Sequence, residues 1–147
     1  MKIDTPSFQE GKTIPKKYTC QGSDVSPPLF FHEAPQETVS FALIVDDPDA
    51  PGGTFDHWIV WNIPGNVTSL AESAKVPNQG TNSYGELRYR GPCPPPGKPH
   101  HYHFKLYALD IKLTLPEGIT KKELERAIEG HVLAQAELIG IFQREKK

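Results

Sequence analysis

Proline sets the first limit on this chain. There are 15 prolines and 12 glycines in 147 residues, with proline near twice its usual share of about 5%. Proline lacks an N–H and fixes φ near −65°, so it interrupts helix interiors and central strand ladders alike. Helices therefore cannot dominate, and the order must lie in strands joined by turn-rich loops. Pro92, Pro94, Pro95, Pro96 and Pro99 crowd into one short stretch, making a single loop that is stiff and poor in donors.

The length suits one domain around one core, spanning 1–147. Lys and Arg number 16 against 18 Asp and Glu, a net charge of −2, so the broad positive field that holds nucleic acid is missing. No apolar run approaches the roughly 18 residues of a spanning helix, which argues against an integral membrane protein. The N-terminal residues Met1-Lys2-Ile3-Asp4-Thr5-Pro6 show no export signal, so the cytoplasm is the expected location.

The clearest strand is Thr38–Val45, almost wholly apolar and bounded by Pro35 and by Asp46-Asp47-Pro48; a run of that kind belongs at the centre of a sheet. His57–Ile63 and His101–Leu109 follow, with shorter candidates at Lys2-Ile3, Leu29–Phe31 and Leu138–Gln143. Thr120-Lys121-Lys122-Glu123 is a capping box that starts a helix to about Ile128. Gly130 then ends it, and His131–Glu137 reads as a second short helix. The expected fold is mainly β, two packed sheets with short helices near the C-terminus.

Three polar clusters sit at the ends of apolar strands. In the first, Asp47 continues the face of Phe41, Leu43 and Val45, and a buried carboxylate there needs a partner. Asp47, Asp49 and Gly52 match the first, third and sixth positions of a calcium loop. Pro51 and Trp58 occupy positions where that loop needs a ligand, and calcium is rejected. In the second, alternation puts His57 on the face of Ile59, Trp61 and Ile63. In the third, His100 shares a face with Tyr102, Phe104 and Leu106, while His101 and His103 face away. Two cysteines, Cys20 and Cys93, lack paired zinc-type spacing. Two buried free thiols is the plainer reading, and a Cys20–Cys93 bridge stays open if the two loops meet.

Taken in order along the chain, Asp47-Pro48-Asp49-Ala50-Pro51 and Gly91-Pro92-Cys93-Pro94-Pro95 through His100 and Tyr102 resemble the two signatures of the phosphatidylethanolamine-binding proteins. These are also called Raf kinase inhibitor-like proteins, and the likeness is to their bacterial and archaeal branch. Tyr18-Thr19-Cys20-Gln21-Gly22, Ser26-Pro27-Pro28-Leu29 and Gly130-His131-Val132-Leu133-Ala134 extend the match over nearly the whole chain. The resemblance implies a large central sheet packed on a smaller one. At one end it implies a small pocket for phosphate, phosphoethanolamine-like or carboxylate ligands, formed by Asp47, His57, Cys93, Pro94, Pro95, His100 and Tyr102. It implies no cofactor, and a regulator or inhibitor of a protein kinase or serine protease. One departure is His101, where the family usually has an arginine; an imidazole cannot supply the permanently charged bidentate fork.

The residue types suit a small anion. Two imidazoles and the Cys93 N–H are candidate donors, and Asp47 can orient a histidine. Two rival readings use the same side chains. Cys93, His100 and Asp47 name a hydrolase's nucleophile, base and orienting acid, though Cys93 lies between prolines, away from any helix N-terminus that would activate it. Asp47, His57 and His100 are acceptable metal ligands. A homodimer through an exposed strand or the helical segment is also open.

Overall fold

The computed structural model describes residues 1–145. In chain order the elements are β1 (Lys2–Asp4), a 3-10 turn at Lys16–Tyr18, β2 (Leu29–His32), β3 (Ser40–Asp47), β4 (Phe55–Pro64), β5 (Ser69–Leu70), β6 (Asn78–Gln79), β7 (His100–Leu109), α1 (Lys121–Ile128) and β8 (Val132–Phe142). They form a five-stranded antiparallel sheet of order β6-β4-β3-β7-β8 and a three-stranded sheet of order β1-β2-β5.

All eight residues of β3 are buried, because β3 lies mid-sheet and the sheet is covered on both faces. One face carries Phe41, Leu43 and Val45 with Phe104, Leu106 and Leu138, packed against Ile3, Leu29 and Phe31 of the small sheet. The other carries Ala42, Ile44, Ile59 and Trp61, closed by Leu113, Ile119 and the Leu124 and Ile128 stripe of α1. The capping box forms as the sequence predicts: the Glu123 N–H donates to the Thr120 side chain and the Thr120 N–H donates to Glu123. Lys121, the first residue of α1, and Lys105 both reach the buried Asp46 carboxylate, at 3.2 and 3.1 Å. That ion pairing ties the helix to the sheet.

Two expectations need correction here. His131–Glu137 is not a helix: Val132–Phe142 is one strand, paired with β7 along its whole length. Its Ala, Leu, Gln and Glu residues are good helix formers, and tertiary pairing with β7 overrides that propensity. The face assignment in β4 is also wrong in part, because the β3–β4 register shifts twice, between Phe41 and Leu43 and between Val45 and Asp46. Each bulge adds a residue to β4 and inverts the alternation. Trp58, Val60 and Ile63 therefore face the small sheet with Tyr102, while Ile59 and Trp61 face α1. His57 goes with the former group, its ring edge-on to Tyr102 at 5.3 Å. No helix among the described residues is long and apolar enough to cross a membrane.

Candidate functional site

Because β3 runs antiparallel to both neighbours, its last residue lies beside the first residues of β4 and β7. Three strand ends thus bring together Asp47, Phe55, His57, His100 and Tyr102 around a cavity of about 200 Å³. Ala50 and Pro51 from the β3–β4 loop and Tyr84, Cys93, Pro94 and Pro95 from the segment before β7 complete the wall. All seven residues singled out in the sequence line this one cavity. Phe55, Tyr84, Ala50 and Pro51 were missed. Two-residue alternation from His57 would have found Phe55, whereas nothing local marks Tyr84.

The floor carries two hydrogen-bonded groups, one on each histidine. His100 Nδ1 lies 2.7 Å from Asp47 Oδ2, with both residues buried, and the Asp49 N–H donates to Asp47 Oδ1 at 2.8 Å. Asp47 is thereby held between an imidazole and a backbone donor, the arrangement that fixes a histidine's orientation. His57 Nδ1 lies 2.7 Å from the Arg90 carbonyl oxygen. Tyr102, 1% exposed, sits between the two rings, and its hydroxyl has no hydrogen-bond partner among the described residues. Burial, reinforced by the Asp47 charge, pushes that hydroxyl's pKa well above the usual tyrosine value.

Burial likewise holds the His57 pKa below its ordinary value, against the raising effect of the Arg90 carbonyl. The folded protein therefore favours neutral His57, while an unfolded histidine takes its proton near pH 6.5. As pH falls through that value the unfolded chain binds the proton first, so this contribution to stability is present above about pH 6.5 and is lost on acidification toward the folded pKa. Urea unfolding at pH 7.5, 6.5 and 5.5 is expected to show a steeper loss for the wild type than for His57→Asn. The variant keeps an N–H for Arg90 and does not titrate.

The rim answers the question raised by His101. Its Nδ1 and its backbone N–H both lie on Asp49 Oδ2, at 2.7 and 2.8 Å, and the Asp49 carboxyl is held below its usual range by these bonds. An exposed His101–Asp49 contact thus stands at this position. On the opposite wall the Arg90 guanidinium lies 4.3 Å over the Tyr84 ring and bonds to Asp24 and Glu86, and Tyr84 meets Phe55 edge-on at 4.9 Å. Arg90 builds the wall and does not line the cavity; among the described residues no lysine or arginine does.

Cys93 corrects the free-thiol reading: it is bonded to Cys20, with Cα atoms 5.4 Å apart. The two loops meet because the Cys20 N–H donates to the Pro92 carbonyl, the buried Tyr89 hydroxyl donates to the Tyr18 carbonyl and the Gly91 N–H donates to Asp24. In this state Cys93 offers no thiol nucleophile. Among the described residues no three His, Cys, Asp or Glu side chains are grouped so as to hold a metal.

Comparison with known proteins extends this geometry beyond one chain. The chain is 48% identical to a UPF0098 protein of Chlamydia muridarum, over 99% of its own length and 100% of the relative's. A UPF0098 protein of Pyrococcus horikoshii is also 48% identical, over 93% of this chain and 74% of that protein. Among solved structures, a Chlamydia trachomatis protein described as a phosphatidylethanolamine-binding protein homologue superposes with a TM-score of 0.94 at 45% identity, covering 98% of this chain and 97% of that one. Escherichia coli YbcL, described as a new member of the mammalian family, gives 0.90 at 31% identity, with 98% of each chain covered. The family model for phosphatidylethanolamine-binding proteins matches residues 4–143, a span that takes in the whole five-stranded sheet and every strand end around the cavity, and the chain belongs to that family.

Proposed function

We propose that this protein acts by binding, its pocket holding a phosphate- or carboxylate-bearing group of a larger partner. The observation that carries the reading is the arrangement of the cavity. A floor of buried hydrogen-bonding side chains, including the unpartnered Tyr102 hydroxyl, lies under a rim of Phe55, Tyr84 and prolines. Concave sites of mostly apolar lining with a few convergent polar groups are the usual form of ligand pockets. The prolines and the Cys20–Cys93 bond hold the wall in place before a ligand arrives, which lowers the ordering cost of binding. Cys93 Sγ being bonded, the hydrolase reading lacks its nucleophile in this state. The names of the relatives point to a phospholipid headgroup as one source of the anion. A target kinase or protease would be another, engaged through the same pocket.

The affinity is bounded by arithmetic. Three hydrogen bonds to a charged group, at about 1.5–3 kcal/mol each, oppose at least about 4 kcal/mol of lost rigid-body freedom. A bare anion should bind at about millimolar, with the remainder supplied by what is attached to it. NMR titration of the histidine rings with inorganic phosphate, phosphoethanolamine and phosphotyrosine tests this. His57 and His100 are expected to shift together, and His100→Asn, which keeps an N–H for Asp47, is expected to weaken the response at least about tenfold. Silence of both rings toward all three compounds defeats the reading. Equal affinity for inorganic phosphate and for every phosphorylated peptide or headgroup defeats the larger partner.

A further inference from the structure

The hydrogen-bond inventory of the floor says more about the anion than its charge does, and this step rests on the anion-pocket reading above. His57 Nδ1 faces the Arg90 carbonyl oxygen at 2.7 Å. A carbonyl oxygen only accepts, so Nδ1 carries the hydrogen. Burial lowers the ring's pKa below its ordinary value, so at pH 8 the ring is neutral, and Nε2 carries a lone pair that enters no hydrogen bond with the described residues. The expectation that both imidazoles donate therefore fails for His57. It presents an acceptor.

The donors lie elsewhere. Of residues 92–96 only Cys93 has an N–H, and it enters no hydrogen bond with the described residues. The Tyr102 hydroxyl is also free. One Asp47 oxygen faces His100 Nδ1 and the other accepts from the Asp49 N–H, each keeping a second lone pair. A fully deprotonated oxyanion would set an oxygen lone pair against the His57 lone pair, and among the described residues no lysine or arginine lines the cavity to offset that repulsion or the Asp47 charge. An anion bearing its own hydrogen reverses the sign of the contact. Its hydroxyl donates to His57 Nε2 while its bare oxygens accept from the Cys93 N–H.

We infer that the pocket selects oxyanions that carry a hydrogen-bond-donating hydrogen, and discriminates against fully deprotonated ones of similar size and shape. Protonated phosphate belongs to the first class and sulfate to the second. A phosphate monoester joins the second class above its second pKa of about 6 unless a neighbouring group supplies the donor.

The experiment is calorimetric titration of the whole chain, disulfide intact, with inorganic phosphate and with sulfate at pH 8. There the two ions carry nearly the same charge and differ by one hydrogen. Phosphate is expected to bind roughly tenfold or more tightly than sulfate, the scale set by leaving a buried acceptor opposed rather than paired. Equal affinities overturn the inference and leave the anion pocket standing, whereas no binding of either ion overturns both. An independent reading comes from the imidazole 15N shifts of His57 at pH 8: the expected spectrum has Nδ1 protonated and Nε2 bare. A spectrum of the opposite tautomer or of the imidazolium overturns the inference whatever the affinities.

Discussion

Reducing the Cys20–Cys93 bond is expected to lower the unfolding free energy by about 4 kcal/mol and the melting temperature by roughly 10 °C. The bond joins residues 73 apart in sequence, so it removes a large closed loop from the freedom of the unfolded chain. That cost grows only as the logarithm of loop length, and for a loop of this size the chain-entropy account gives about 4 kcal/mol. The folded state should change far less, because the bond is one of several ties between the same two segments. Tyr89 Oη to the Tyr18 carbonyl is 2.7 Å, the Gly91 N–H to Asp24 is 2.7 Å and the Cys20 N–H to the Pro92 carbonyl is 3.1 Å. Thermal unfolding with and without reductant, beside a Cys20→Ser/Cys93→Ser double variant, measures the first part. Phosphate titration of the reduced protein measures the second, with affinity expected within about threefold of the oxidised form. A stability change under about 1 kcal/mol would show that the unfolded chain is already restrained across that loop.

The same pair of loops shows where reading the sequence stops. Strand positions and side-chain alternation rest on local pattern. β3 and β7, with His100 facing in and His101 out, are therefore legible from apolar periodicity alone. The capping box fixes the start of α1 to the residue. What is not legible is whatever two distant segments decide together. Whether Cys20 and Cys93 meet depends on how residues 18–24 and 89–93 pack, and neither stretch contains that information by itself. The bulges that turn His57 away from Ile59 arise in the pairing of β4 with β3, so strict alternation carried from Ile59 or Trp61 misplaces it. β8 fails for a related reason: residues 132–137 are half-exposed on an edge strand, with too few apolar positions to announce period two, and only the β7 backbone makes them a strand. The site residues were nonetheless found together, because they sit at strand ends whose limits Pro48, Pro99 and the flanking apolar runs mark plainly. Their donor and acceptor roles were not, since the hydrogen of His57 is assigned by a carbonyl 33 residues away.

Two glycines beside the pocket should respond to the same substitution in opposite ways. In Gly91→Ala the new Cβ would stand on the Tyr18 carbonyl oxygen, 2.7 Å from Asp24 Oδ1 and 2.9 Å from the Thr19 Cα. Two of those three neighbours are backbone atoms, themselves fixed by the Tyr89 hydroxyl and the 3-10 turn. They cannot rotate aside as a side-chain end would, and the chain must separate residues 18–19 from residue 91. Overpacking of a filled site costs about 1–3 kcal/mol. Here the displaced segment also carries the Asp24 bonds to the Gly91 N–H and to Arg90, so a loss of about 3 kcal/mol or more is expected. The wall that positions Cys93, Pro94 and Pro95 should loosen with it. Gly52, on the facing loop, has nothing within 4 Å of a Cβ and no positive φ, so Gly52→Ala should stay within about 0.5 kcal/mol of the wild type. Urea midpoints for the two variants, with the phosphate titration repeated on each, give the comparison. If Gly91→Ala unfolds at the wild-type midpoint, the close approach of the two loops is wrong, and with it the rigidity on which the preformed pocket depends.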